Sequence, residues 1–249
     1  MRGQRTYISI FGSFEEDWLE WLKWSQNVAH QLDLPIRYMD YTKKGREATG
    51  KIKKYSVRNL ENAIQSNNLV EMTLYALPDP FKQAAFDWQL LLLRDKDEGH
   101  VFFGCEAEKC TLERMVEFLP SLLQFIQAQY GFGEYMPASD GPAFRSVGIE
   151  AGDAVSDMDG EELSRWWEDL NETRKFAQGF FRSVFNLNLL SAKHLSQPVG
   201  NSVLEAEILA SKLPGKLLPI HSDIKLWWLQ DEEIEYAKSV LAENALLIT

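Results

Sequence analysis

The chain has 249 residues, 45% of them hydrophobic and 25% charged, with a formal net charge of −11 at pH 7 and a pI near 4.9. Such a chain can bury its own core as one large unit or two small ones, which excludes a disordered segment or a disulfide-stapled miniature. The acidic balance disfavours nucleic acid and anionic membrane as partners, since both need clustered Lys and Arg, and favours a cationic macromolecule.

The start, Met1 to Thr6, leads into a short apolar strand at 6–11 and not into a secretory signal. No apolar run approaches the roughly 20 residues of a membrane span. With only two cysteines in this length, a cytoplasmic, reduced setting is the expectation. Ser13 and Glu16 have capping-box spacing, so a helix should follow, with Trp18, Leu22, Ser25, Ala29 and Leu32 on its buried stripe and its end before Pro35. Residues 43–58 carry Lys43, Lys44, Arg46, Lys51, Lys53, Lys54 and Arg58 against Glu47 alone, around two glycines, which reads as an exposed basic loop. Ser56 can cap a short helix to about Ser66. Leu69–Ala76, Phe86–Leu93 and His100–Cys105 read as strands, the last two joined by the turn 95–99. Thr111 opens a second long helix, which Pro120 should kink. The Gly/Pro-rich stretch 131–142 reads as a loop before a strand at 144–149.

From Glu150 to Glu172 the sequence holds nine acidic residues against Arg165. Within it, Leu163, Trp166, Trp167, Leu170 and Ala177 share a helical face, and Gly179 suits the C-cap. A strand at 180–190 follows, then a helix at 202–212 with Ser202 and Glu205 as capping box. Strands at 215–220 and 224–229, a helix at 231–243 and a terminal strand at 245–249 complete the chain. That order, β-α-β-β-α-β, is ferredoxin-like, and the first half approximates it with insertions. The fold class expected is α+β: two packed ferredoxin-like-related halves, 1–150 and 151–249, with antiparallel sheets and helices on one face.

Candidate chemistry is sparse. Cys105 and Cys110 stand four residues apart near His100, without the second pair of a zinc site, so both are expected to be small core hydrophobes and no metal is assigned. No Walker loop, dinucleotide glycine fingerprint or Gly-x-Ser-x-Gly elbow is present, so no cofactor is expected. His194 follows a strand end and is the best single candidate for a catalytic base; its plainer role is a turn histidine bonding carbonyls, with Ser191 capping the turn. The acids Asp153, Asp157, Asp159, Glu161, Glu162 and Glu168 can stabilise a helix start through its dipole or present a negative face to a partner, with Trp167 as an outward anchor. The basic loop, beside Tyr38, Tyr41 and Tyr55, could contact nucleic acid, but the rest of the molecule repels a polyanion.

The run Gly179–Leu195 is similar to bacterial immunity proteins that accompany polymorphic toxins and type VI secretion effectors. The resemblance rests on Arg182, Val184, Phe185, Asn188, His194 and Leu195, and departs at Ser183, where that pattern has Asp. Gly215–Leu217 and Leu226–Trp228 extend it, so it covers roughly the last third. It implies a non-enzymatic protein that binds and neutralises a cognate toxin. The acidic face makes a basic, nuclease-type toxin the expected partner. Two other classes remain open at this point: a hydrolase with a site between the halves, joining His194, Arg182 and a carboxylate, and a homo-assembly pairing through Ala245–Thr249.

Overall fold

The computed structural model describes residues 3–14, 17–45, 52–151 and 160–248. In the first half, β1 (Gln4–Ser13) leads to α1 (Trp18–Gln31), β2 (Tyr38–Lys43), β3 (Lys53–Lys54), α2 (Val57–Gln65) and β4 (Leu69–Ala76). There follow α3 (Ala84–Asp87), β5 (Leu90–Asp95), β6 (His100–Glu106), α4 (Leu112–Leu122), β7 (Gln127–Pro137) and α5 (Pro142–Ser146). The second half runs through α6 (Gly160–Glu168), β8 (Leu187–Ser191), α7 (Ala192–Leu195), β9 (Pro198–Val199) and β10 (Ser202–Val203). It ends with α8 (Leu204–Leu209), β11 (Lys216–His221), β12 (Ile224–Trp228) and α9 (Asp231–Glu243).

Among the described residues ten strands form one sheet in the order β11-β12-β8-β7-β1-β6-β5-β4-β2-β3, every neighbouring pair antiparallel. Both ferredoxin-like halves are legible in that order. The unit β1-α1-β5-β6-α4-β7 has its strands side by side as β7-β1-β6-β5, with β2, β3, α2 and β4 inserted and extending the sheet beyond β5. In the second half β8, β12 and β11 keep the corresponding positions, and the place of a fourth strand beside β8 is taken by β7. The two sheets are therefore fused edge to edge through a shared strand. Among the described residues the expected terminal strand is reduced to one bridge, Leu247 to Phe181, closed by Phe181 N–H to the Leu246 carbonyl (2.9 Å) and Ile248 N–H to the Phe181 carbonyl (2.8 Å).

Strict alternation along the strands sorts the core onto two sides. On one side Ile8, Ile10, Leu92, Phe103, Leu187 and Leu226 meet α1, α2 and α4. On the other, Tyr7, Phe11, Phe102, Tyr130, Phe132, Leu190 and Trp227 meet α6, α7, α8 and α9. Helices α1, α2 and α4 of the first half cover one face and α6 to α9 of the second cover the other, because a fused sheet has two apolar sides to cover; the short α3 and α5 of the first half join the second side through Ala84 and Ala143.

Local readings changed where tertiary contacts outweigh propensity. Residues 131–137, expected as loop, belong to β7; Gly133 is required there because a Cβ would lie 2.6 Å from the Tyr7 carbonyl oxygen of the adjacent strand. The segment expected as a strand at 144–149 begins inside α5, which follows Pro142 at its first turn. The strand expected at 86–93 is α3 plus β5, and that expected at 180–190 starts only at Leu187. Asp17, not Ser13, caps α1 by accepting the Glu20 N–H at 3.0 Å; Glu16 lies outside the described residues. Ser202 is in β10 and Val203 caps α8 without a side-chain bond, so that expected capping box does not form. Among the described residues no helix is long and apolar enough to cross a membrane.

Candidate partner-binding groove

The helix α6 carries the described part of the acidic stretch; Asp153, Asp157 and Asp159 lie outside the described residues. Leu163 and Trp166 anchor it, the Trp166 indole donating to the Ser146 carbonyl at 2.8 Å. Its four remaining predicted contact residues divide. Glu162 turns inward, 3.7 Å from Nε of the buried Arg182, and so is occupied within the fold. Glu161, 3.3 Å from Arg165, and Glu168 both face solvent. Trp167 also faces outward, 47% exposed.

Trp167 stands at the rim of a groove of about 920 Å³ over the side of β2, β4 and β5 that the second half's helices leave uncovered. The floor is built by alternation: Asp40 from β2, then Glu71, Thr73 and Tyr75 from β4, then Leu91, Leu93 and Asp95 from β5. Phe11 and His100 also line it, with Phe81–Ala85, Ala143–Ile149 and the helical segment 167–171 as its walls. Every charged lining residue among those described is acidic: Asp40, Glu71, Asp95 and Glu98.

Their positions are fixed by backbone pairing. Glu71 and Asp95 are directly opposite across β4 and β5. The Glu71 carboxylate accepts from Thr42 Oγ1 (3.0 Å) and Thr73 Oγ1 (3.2 Å); Asp95 accepts the N–H groups of Asp97 (3.0 Å) and Glu98 (3.1 Å). Burial, reinforced by Glu71 and Glu98, pushes the Asp95 carboxyl up to about 6, against the pull of those N–H donors. Burial also raises Asp40, opposed by the Tyr41 N–H and by Lys53, and raises the Tyr75 phenol, helped by Asp40 and Glu71. His100 Nε2 is 2.7 Å from Ser9 Oγ and its ring stacks on Phe11 (4.8 Å), with burial holding it down to about 3. The arrangement suits a cation carried on an apolar body; the Ser9–His100 pair behind it is buried.

The joint site of His194, Arg182 and a carboxylate is not formed. His194 is fully buried, Nδ1 3.0 Å from Ser191 Oγ and Nε2 3.2 Å from the Phe180 carbonyl, stacked on Tyr130 at 5.1 Å. Burial is the main reason its basicity falls to about 4. Arg182 instead lies over Phe132 (5.0 Å), Trp166 (5.6 Å) and Phe185 (5.8 Å), near the pair in which Tyr7 Oη donates to Glu134 (2.6 Å). Cys105 and Cys110 are buried free thiols, and no group of three or more His, Cys, Asp or Glu among the described residues could hold a metal ion. Of the basic loop, Lys53 sits over the Tyr41 ring at 4.7 Å and Lys43 donates to Ser66 at 3.2 Å; Arg46 and Lys51 lie outside the described residues.

Sequence reasoning reached Trp167 and missed Asp40, Glu71, Asp95 and Glu98. The available signal was the alternation Glu71-Thr73-Tyr75, a polar and aromatic set interleaved with Met72, Leu74 and Ala76, which marks a strand with one face left to solvent.

No protein-family model and no curated protein matches the chain. Among solved structures, the T6SS protein PA0821 of Pseudomonas aeruginosa matches with a TM-score of 0.54, covering 98% of this chain and 77% of that one at 10% identity. At that identity the likeness shows a shared fold. The toxic C-terminal tip of CdiA from Pseudomonas aeruginosa in complex with immune protein gives a second match, at 15% identity over 55% of this chain and 90% of the other. Its TM-score of 0.29 is too low to carry an argument.

Proposed function

We propose that this chain is an immunity protein that binds and occludes a cognate bacterial toxin in the cytoplasm of the producing cell. The observation that carries the reading is the apolar groove whose charged lining, among the described residues, is all acidic, with the exposed Trp167 on its rim and exposed Glu161 and Glu168 on the same helix. The sequence resemblance at 179–230 and the fold shared with a T6SS protein support it. A toxin that acts on nucleic acid is basic where it meets phosphate, and a negative face opposes that surface. Long-range attraction raises the association rate, and a desolvated aromatic contact slows dissociation. The contact residues assigned here are Asp153, Asp157, Asp159, Glu161 and Glu168, with Trp167 as anchor; Glu162 is removed from that set because Arg182 holds it.

The test is co-expression and surface plasmon resonance with the toxin-domain protein encoded beside this gene. The chain should protect cells from that toxin and form a stable complex. Charge reversal by D153K, D157K and E168K together should slow association about tenfold or more at low salt, with the difference shrinking as salt screens it. Protection without any complex, or association rates unchanged by the triple reversal, would remove the electrostatic account.

A further inference from the structure

The groove has a feature that sheet stability alone does not explain. Antiparallel partners of like charge repel, and a solvent-facing strand pair ordinarily sets Lys or Arg against Glu or Asp. Here β4 and β5 set Glu71 against Asp95, and Glu98 adds a third carboxylate at the adjoining turn. Asp40 on β2, opposite Thr73, supplies a fourth. Lys53 reaches Asp40 from β3 while stacked on Tyr41.

The rest of the lining is apolar or aromatic, and it changes character along the groove. From Glu71 to Tyr75, about 13 Å at the usual rise of a strand, the floor of β4 passes from the carboxylates to a phenol ring. Tyr38 and Phe81 stack edge to face at 5.0 Å beyond it. On the rim Ile149, 43% exposed, and Trp167 present apolar surface to solvent. A small cation alone would leave those side chains uncovered, and a fatty or anionic ligand would meet four carboxylates.

We propose that this groove is the docking site for a Lys- or Arg-bearing apolar segment of a protein partner, its cation between Glu71 and Asp95 and its neighbouring side chains against Leu93, Tyr75, Ile149 and Trp167. That the partner is a toxin rests on the immunity reading; the chemistry of the segment rests on the groove. Docking there relieves the cross-strand repulsion and covers the exposed rim in one step, so charge and apolar contact act together.

Octylguanidinium, an alkyl chain with an arginine head, is the probe for the groove itself. It should shift the Trp167 indole N–H resonance (assigned by its loss in W167F) saturably, with a dissociation constant about tenfold or more below those of octanol and octanoate, as a desolvated charge contact requires. In the double variant E71Q/D95N the amide at 95 keeps the one oxygen that accepts both turn N–H groups, and the amide at 71 keeps an oxygen for one threonine hydroxyl and donates its NH2 to the other, so it should fold, and it should lose that preference. Equal binding of the three alkyl probes, or shifts that map elsewhere, overturns the proposal. With the toxin, E71Q/D95N and I149R should each weaken the complex about tenfold or more, the scale of a truncated interface anchor. An unchanged complex in both variants also overturns the groove as the docking site and leaves the immunity reading standing. Guanidinium-selective binding together with no toxin complex removes the immunity reading and supports the groove's preference.

Discussion

Arg182 illustrates how a residue singled out by motif can serve the fold instead of the site. Its guanidinium is buried among Phe132, Trp166 and Phe185 and faces Glu162, Glu134 and Tyr7, so removing it strands carboxylates in an apolar frame. R182A should cost about 3–5 kcal/mol in urea unfolding, the usual penalty for breaking a buried pair, and R182K should recover little because an ammonium cannot stack as a planar fork does. A loss below about 1 kcal/mol would place the ion pair in the weak surface class. The histidines make a second residue-scale case, through pH. His100 and His194 are held down to about 3 and about 4 by burial, below the ordinary 6.5. They stay neutral in the folded chain while the unfolded chain takes up protons, so stability falls as pH drops from about 6.5 toward 4. Asp95, raised to about 6, acts in the opposite sense, its contribution to stability being present at low pH and lost as pH rises through about 6. Asp40 and Glu134, also raised by burial, act in the same sense as Asp95, so the histidines are best followed one by one. The direct check is NMR: the ring signals of His100 and His194 should not titrate between pH 8 and 5.5, and a midpoint near 6.5 for either would contradict its environment.

At the scale of elements, the shared strand decides the architecture. β7 pairs with β1 on one side and β8 on the other, and Gly133 lets it approach β1 closely enough for its aromatic neighbours to turn onto the opposite face. G133V should destabilise the chain by about 2–4 kcal/mol or prevent folding, since the new Cβ meets backbone and no flexible side chain can give way. Solubility and urea unfolding compare it with wild type, and a neutral result would mean that β1 and β7 can separate without cost. The same strand shows where sequence reading stopped. The helices α1, α2, α4, α6 and α9 were legible because their apolar stripes or caps are local: Thr111 caps α4 through the Arg114 N–H, and Ser56 caps α2 through the Asn59 N–H. β7 was not, because Gly131, Gly133 and Pro137 spell a loop until a neighbouring backbone demands small residues. The stretch 180–186 failed in the reverse way. Its run of aromatics looked like a strand, but Phe181, Val184 and Phe185 are spent on packing beneath the helices, and the ladder resumes only where Leu187 meets Gly133.

On the scale of the molecule, net charge was legible from composition, whereas the place where charge meets apolar surface was not. Asp40, Glu71, Asp95, Ile149 and Trp167 come from five separate elements or turns, and only the sheet order makes them neighbours. Both halves contribute: Phe11, Glu71 and Asp95 come from the first and Trp167 and Leu170 from the second, with Phe11 edge to face on Trp166 at 5.2 Å beneath them. A core and a sheet shared in this way should unfold together. Differential scanning calorimetry of the full chain should therefore give one transition with equal calorimetric and van't Hoff enthalpies, and two separable transitions would mean that β7 belongs to one half only. An occupant that bridges both halves must then stabilise both. With ligand at about 100 times its dissociation constant, the whole transition should rise by the equivalent of about 2.7 kcal/mol as a single peak. A groove that closed on its ligand through one half alone would instead split the peak, and that outcome would detach the site from the fused sheet that frames it.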